Sequence, residues 1–256
     1  MSQTLMPITK YSLNTQNKST RDHFDDAIIE EQPLQIIIHW YDDLKWNQRD
    51  LSITMRTPGD DESLVIGFLL SQQIIATMDD VESLSLDEEN VAEVKLSPSV
   101  DFDWQKITRT FVSHSGCGIC GQSQLKSLAL KYSAFTLPDT PYLPVQQILD
   151  FPSLLTKQQG IFNLTGGCHG AGLWHDNYFT VKEDVGRHNA VDKIIGDALI
   201  SQKIITQGQQ ILVLSGRISF ELVQKAVAGN VSVIVAVGAP SDLAVATAKQ
   251  FNMTLI

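Results

Sequence analysis

The sequence predicts an α/β protein: a main domain on parallel strands, with a smaller α+β part before it. The C-terminal stretch carries most of that prediction. "QQILVLS", "VSVIVAV" and "MTLI" are apolar and β-branched, and "SFELVQKAVA" and "SDLAVATAKQF" between them have helical spacing. Strands alternating with helices in this way imply parallel strands with helices packed against the sheet. A second observation is size: 256 residues, 43% of them hydrophobic, are ample for a large core. A third is the proline-bearing stretch "LPDTPYLP" at 137–144, which reads as a linker between the two parts.

Residues 1–32 are polar, with no sustained period, and read as a poorly ordered lead-in. The smaller part, 33–136, opens with strands "LQIIIHW" and "DLSITMRT". A helix is expected over 58–75, with acids in its first turn and Leu64, Phe68 and Ile75 on one side. "VAEVKLS" and "ITRTFVSH" read as two more strands, the second leading into a cysteine loop, and "SQLKSLALKYS" as a short helix after it. In the main part, 137–256, "VQQILDFPSLL" reads as helical up to Pro152. Strand "IFNLT", a glycine cluster, strand "YFTVKE" and a helix beginning near Asn189 follow.

Composition excludes some classes of function. A formal charge of −10 argues against broad binding to nucleic acid, which needs a basic surface. The acidic stretch 79–103 reads as a solvated face. No apolar run is long enough to span a membrane, and the N-terminal stretch has no apolar segment of signal type. The expected location is the cytoplasm, with reduced cysteines available for chemistry.

Two of the three cysteines, Cys117 and Cys120, lie in "SHSGCGICGQSQ". A Cys-x-x-Cys pair can supply half of a zinc site, form a redox disulfide or carry sulfur as a persulfide. Zinc would need further ligands, for which Cys168, His169 and His114 are candidates. Persulfide chemistry needs an exposed, acidic thiol, and the flanking glycines leave the loop open to large partners. On the residues alone all three uses stand.

Three further stretches suggest a ligand site. "TGGCHGAGLW" at 165–174 has glycines, among them Gly166 and Gly167, whose N–H groups suit an anion nest at a strand end. Cys168 within it reads as a small buried residue. "EDVGRHNAVDKIIGDALI" starts a helix with Asn189 as N-cap and Asp192 three residues on, which puts Arg187 and His188 at the helix's positive end. "SGRISFELVQKA" places Ser215, Gly216 and Arg217 at the carboxyl end of a parallel strand, where α/β sheets bind ligands. Paired Gly-Arg junctions point to an anionic, nucleotide-like ligand.

"CGICG", "TGGCHGAGLW", "EDVGRHNAVDKIIG" and "SGRISFELVQKA", in that order, resemble the FdhD family of formate dehydrogenase accessory sulfurtransferases. "TPGDDESLVIGFLLSQQII" upstream is similar to that family as well. The resemblance implies a three-layer α/β/α sandwich like that of cytidine deaminases, with a smaller N-terminal α+β part, and a homodimer. It implies a sulfurtransferase that takes persulfide sulfur from a cysteine desulfurase. The acceptor would be the molybdenum (or tungsten) bis-pterin guanine dinucleotide cofactor destined for formate dehydrogenase. Cys117 would be the carrier and Cys120 its relay or resolving partner. Gly166, Gly167, His169, Arg187, His188, Asn189, Asp192, Ser215, Gly216 and Arg217 would hold the cofactor, with no catalytic metal of the protein's own. Gly238 stands where the family commonly has serine. Deamination is not expected, because His169-Gly170-Ala171 lacks the glutamate and Cys117 the preceding proline that zinc deaminases require. Alternatives are a cofactor-binding chaperone without sulfur transfer and a zinc-binding structural protein.

Overall fold

The structure, a computed structural model, describes residues 3–13, 15, 19–87, 89–105, 128, 131–136, 143–175, 177–202 and 210–256. Strand "ITRTFVSH", most of the 123–133 helix, and Cys117 and Cys120 lie outside the described residues.

The fold is mixed α/β. Strands β1 (Gln3–Leu13) and β2 (Ser19–Ile29) pair antiparallel as a long, largely exposed hairpin. This corrects the expected lead-in without structure. The segment is polar because little of it is buried, so period gave no sign of a strand, and pairing across the hairpin supplies the order.

β3 (Gln32–Asp42), β4 (Lys45–Arg56), β5 (Val81–Leu86) and β6 (Val91–Leu96) form a four-stranded sheet in the order β4-β3-β6-β5. Leu34, Ile36, Ile38 and Trp40 of β3 alternate inward, as period two requires. β5 lies within the stretch read as a solvated acidic face, and its residues are exposed or half-buried.

The expected helix appears as α1 (Asp61–Ser71), buried on nearly every side. It packs along the later helix α4 (Arg187–Ile200). Glycines set that contact: a Cβ on Gly67 would lie 1.9 Å from the Asp192 carbonyl oxygen, and one on Gly196 1.9 Å from that of Ser63. One apolar core therefore runs from Leu34 and Ile36 through Leu64 and Ile66 to Val191, Ile194, Leu212 and Val223, across the boundary read between 136 and 137.

The second large sheet has the order β11-β10-β9-β7-β8. β9 (Ile211–Leu214), β10 (Val233–Ala236) and β11 (Thr254–Leu255) are parallel, with α5 (Phe220–Ala228) and α6 (Asp242–Gln250) between them in sequence. β7 (His169–His175) and β8 (Tyr178–Asp184) extend the sheet antiparallel. Leu212 and Leu214 join the core that holds α4 and α5, whereas Ile211 and Val213 pack with Phe151 and Leu155 of α2 (Val145–Gln158).

Three local readings change. α2 continues through Pro152, because Phe151 and Leu155 dock on the sheet and outweigh a missing helix hydrogen bond. "IFNLT", read as a strand, lies in helix α3 (Gly160–Thr165). The distant Glu183 carboxylate accepts from Ile161 N (2.9 Å) and Phe162 N (2.8 Å), satisfying donors at the helix start. Gly166, at φ 64°, then ends the helix in the left-handed conformation. The glycine cluster, read as a loop after a strand, is mostly strand β7 itself. A Cβ on Gly172 would lie 2.3 Å from the Phe179 ring, so that glycine makes room for a side chain rather than a ligand.

Candidate functional site

Helix α4 starts at Arg187 with Gly186 as its N-cap. The Asp184 carboxylate accepts from Gly186 N at 2.8 Å. Lys193, 1% exposed, lies 2.8 Å from the fully buried Asp184 and donates to the Thr57 carbonyl, which locks the helix start against the end of β4. The capping roles expected of Asn189 and Asp192 are corrected by this geometry. Asn189 is inside the helix and donates to the Met55 carbonyl (2.8 Å) and to Asp184 (3.2 Å). Asp192 is buried, with Lys225 Nζ 2.7 Å from both its oxygens and Ser71 Oγ donating at 2.8 Å. Both partners come from other elements, so local spacing could not reveal them.

Arg187 and His188 occupy the first turn, at the positive end of α4. His188 Nε2 is 3.0 Å from Glu221 Oε2 and 3.4 Å from Ser219 Oγ. Burial is the main cause that lowers the His188 pKa; Lys225 and Arg187 add to it against the pull of Glu221 and Asp192. His188, Asn189 and Asp192 line a cavity of about 210 Å³ with Thr54, Phe68 and Glu221.

Ser215 and Gly216 follow β9. Ser215 Oγ accepts from Gly170 N (3.0 Å) and lies 3.4 Å from His169 Nδ1. A Cβ on Gly216 would be 3.5 Å from the same nitrogen, so its backbone packs against the imidazole. His169 has its pKa lowered, by burial first and then by Arg187. Gly166, Gly167, Cys168, His169 and Ser215 line a second cavity, of about 420 Å³. Cys168 Sγ donates to Glu183 Oε1 at 3.2 Å, and burial together with that carboxylate pushes the thiol pKa up. It is a neutral donor rather than a nucleophile.

The candidate residues thus fall on two cavities. The Arg187 charge acts on both imidazoles and so links the two. Arg217 is exposed beyond the end of β9, and neither it nor Arg187 makes an ion pair among the described residues. Both guanidinium groups are available to an anion. Gly238, where the family commonly has serine, lies against Arg217: an added Cβ would meet its Cγ and backbone nitrogen at 2.9 Å. Among the described residues no cluster of three His, Cys, Asp or Glu side chains is arranged to hold a metal. Sequence reasoning did not single out Gln159, Glu183, Glu221 or Lys225. Glu221 and Lys225, four apart on α5, look like a surface pair but turn to His188 and Asp192 instead.

Residues 29–256 match the FdhD/NarQ family. The chain belongs to that family. It is 37% identical over 244 residues to the sulfur carrier protein FdhD of Streptomyces coelicolor, covering 90% of this chain and 83% of the relative. It is 36% identical over 254 residues to that of Sulfolobus acidocaldarius, covering 98% and 92%. The Mycobacterium tuberculosis FdhD protein is 37% identical over 246 residues, with 90% and 86% covered. The fold matches the crystal structure assigned to a formate dehydrogenase accessory protein from Desulfotalea psychrophila, with a TM-score of 0.74 at 23% identity over 98% of this chain and 91% of that one. No described helix is long and apolar enough to cross a membrane.

Proposed function

We propose that this protein is a persulfide sulfurtransferase serving formate dehydrogenase, with the bis-pterin guanine dinucleotide cofactor of molybdenum or tungsten as its substrate. The reading is carried by the match, over nearly the whole chain, to relatives named sulfur carrier protein. Two guanidinium groups without ion pairs among the described residues, Arg187 in the first turn of α4 and Arg217 beyond the end of β9, support an anionic substrate.

In the first step, the Cys117 thiolate attacks the outer sulfur of a persulfide on a cysteine desulfurase. The desulfurase S–S bond breaks, a new one forms at Cys117, and the desulfurase cysteine leaves as thiolate, with no net redox change. For delivery, the Cys120 thiolate attacks Cys117 Sγ. A Cys117–Cys120 disulfide forms and the outer sulfur leaves with the bonding pair as sulfide for the metal. A thiol reductant then restores both cysteines. Arg187, Arg217 and the helix N-terminus hold the phosphates of the dinucleotide arms. The reading includes a homodimer in the cytoplasm and a layered sandwich like that of cytidine deaminases, on the strength of the family resemblance.

In a bacterium deprived of its own FdhD protein, the wild-type chain is expected to restore formate dehydrogenase activity, and Cys117→Ala to restore none. Full restoration by Cys117→Ala would favour a cofactor chaperone that transfers no sulfur.

A further inference from the structure

His169 and Ser215 both line the cavity of about 420 Å³, and Gly170 holds the serine in place. Ser215 N donates to the Gly170 carbonyl at 3.1 Å, and Gly170 N donates to Ser215 Oγ at 3.0 Å. The hydroxyl is thereby already an acceptor, and its own proton needs a partner. Among the described residues its remaining neighbour within hydrogen-bond distance is His169 Nδ1, at 3.4 Å. Donation to Nδ1 satisfies both groups. The reverse arrangement, with Nδ1 donating, would have the hydroxyl accept twice and leave its proton without an acceptor among the described residues.

The other side of the ring is open. His169 Nε2 makes no hydrogen bond among the described residues and is not sealed from solvent, whereas the Gln159 amide nitrogen is. Gly216 packs against the Nδ1 side, where an added Cβ would lie 3.5 Å from Nδ1 and 3.6 Å from Cε1. Two other polar side chains of the lining are committed, Thr156 Oγ1 to the Pro152 carbonyl and Cys168 Sγ to Glu183. No Asp, Glu, Lys or Arg lines the cavity. Burial and the Arg187 guanidinium favour the neutral imidazole. What the ring shows the cavity then depends on which nitrogen carries its single proton.

We propose that Ser215 is a positioning residue whose hydroxyl holds His169 as the Nε2–H tautomer, so that the ring offers the substrate a hydrogen-bond donor. In that tautomer Nε2 has no free lone pair and Nδ1 is taken by Ser215. His169 therefore neither accepts a proton from the substrate nor ligates its metal through Nε2. An N–H at this point recognises an acceptor atom, oxygen or sulfur, without adding charge to the cavity. The inference rests on the reading of this region as a substrate site.

The test is proton–nitrogen NMR of the isotope-labelled full chain at about pH 7.5, where the imidazole is neutral. The His169 ring signals are assigned by their loss in His169→Gln. The couplings are expected to show the proton on Nε2 and Nδ1 as acceptor. Ser215→Ala removes a hydrogen bond to the neutral ring, so His169 is expected to bind a further proton about fivefold tighter. Ser215→Thr, which keeps the hydroxyl, should match wild type. In the bacterium deprived of its own FdhD protein, Ser215→Ala is expected to restore about fivefold less formate dehydrogenase activity than wild type, and Ser215→Thr to recover it. A proton on Nδ1 in wild type, proton binding unchanged or weakened in Ser215→Ala, or full activity of that variant would overturn the proposal. If Ser215→Ala does not fold, the wild-type tautomer decides. Persulfide uptake by wild type is measured separately: uptake with the proton on Nδ1 removes this proposal alone, and the expected tautomer without uptake removes only the sulfur-carrier reading.

Discussion

His169 and His188 are the candidate site residues whose protonation the fold works against. Burial is the first cause for each, and the Arg187 guanidinium disfavours a second positive charge on either ring. A histidine in the unfolded chain ionises near pH 6.5. With folded values below that, the unfolded chain binds more protons, so stability falls as pH drops through about 6.5 and levels off below the folded values. The thermal midpoint is expected to fall between pH 7.5 and pH 5.5, and to fall less in a His169→Gln, His188→Gln double variant. An equal fall in both proteins would place the effect elsewhere. Arg187 and His188 were legible in the sequence because a Gly-Arg pair at a helix start has a local signature. The roles of Asn189 and Asp192 were not, because Met55, Ser71 and Lys225 reach them from distant segments.

At the scale of elements, the α1–α4 contact positions the site. Backbone touches backbone at Gly67 and Gly196, which brings β4 and α1 against the first turns of α4 and forms the walls of the smaller cavity. Gly67→Ala has no side-chain end to displace, only the Asp192 carbonyl, so the helices must separate. A loss of about 3 kcal/mol, the upper end for overpacking, is expected in urea denaturation. A loss below about 1 kcal/mol would mean that the helices shift apart freely. The parallel strands β9 and β10 were readable because their apolar runs are continuous and almost wholly buried. The α3 helix was not: "IFNLT" is rich in strand-forming residues, and its helical state depends on Glu183, a residue of β8.

Across the whole molecule, the described core is continuous from the four-stranded sheet through α1 and α4 to the five-stranded sheet. The proline-bearing stretch at 137–144 separates segments of sequence that nonetheless pack together, and only contacts between distant residues could show that. The β1–β2 hairpin was illegible for a related reason: its strands bury little, so hydrophobic period carries no signal. On this frame Arg187 acts on an imidazole of each cavity, and we propose that Cys117 and Cys120 carry the sulfur chemistry. Intact-protein mass spectrometry after incubation with a cysteine desulfurase and cysteine tests that assignment most directly. Wild type and Cys120→Ala should gain the mass of about one sulfur atom, removable by reductant, and Cys117→Ala should gain none. No gain in wild type beside an active desulfurase would contradict the sulfur-carrier function.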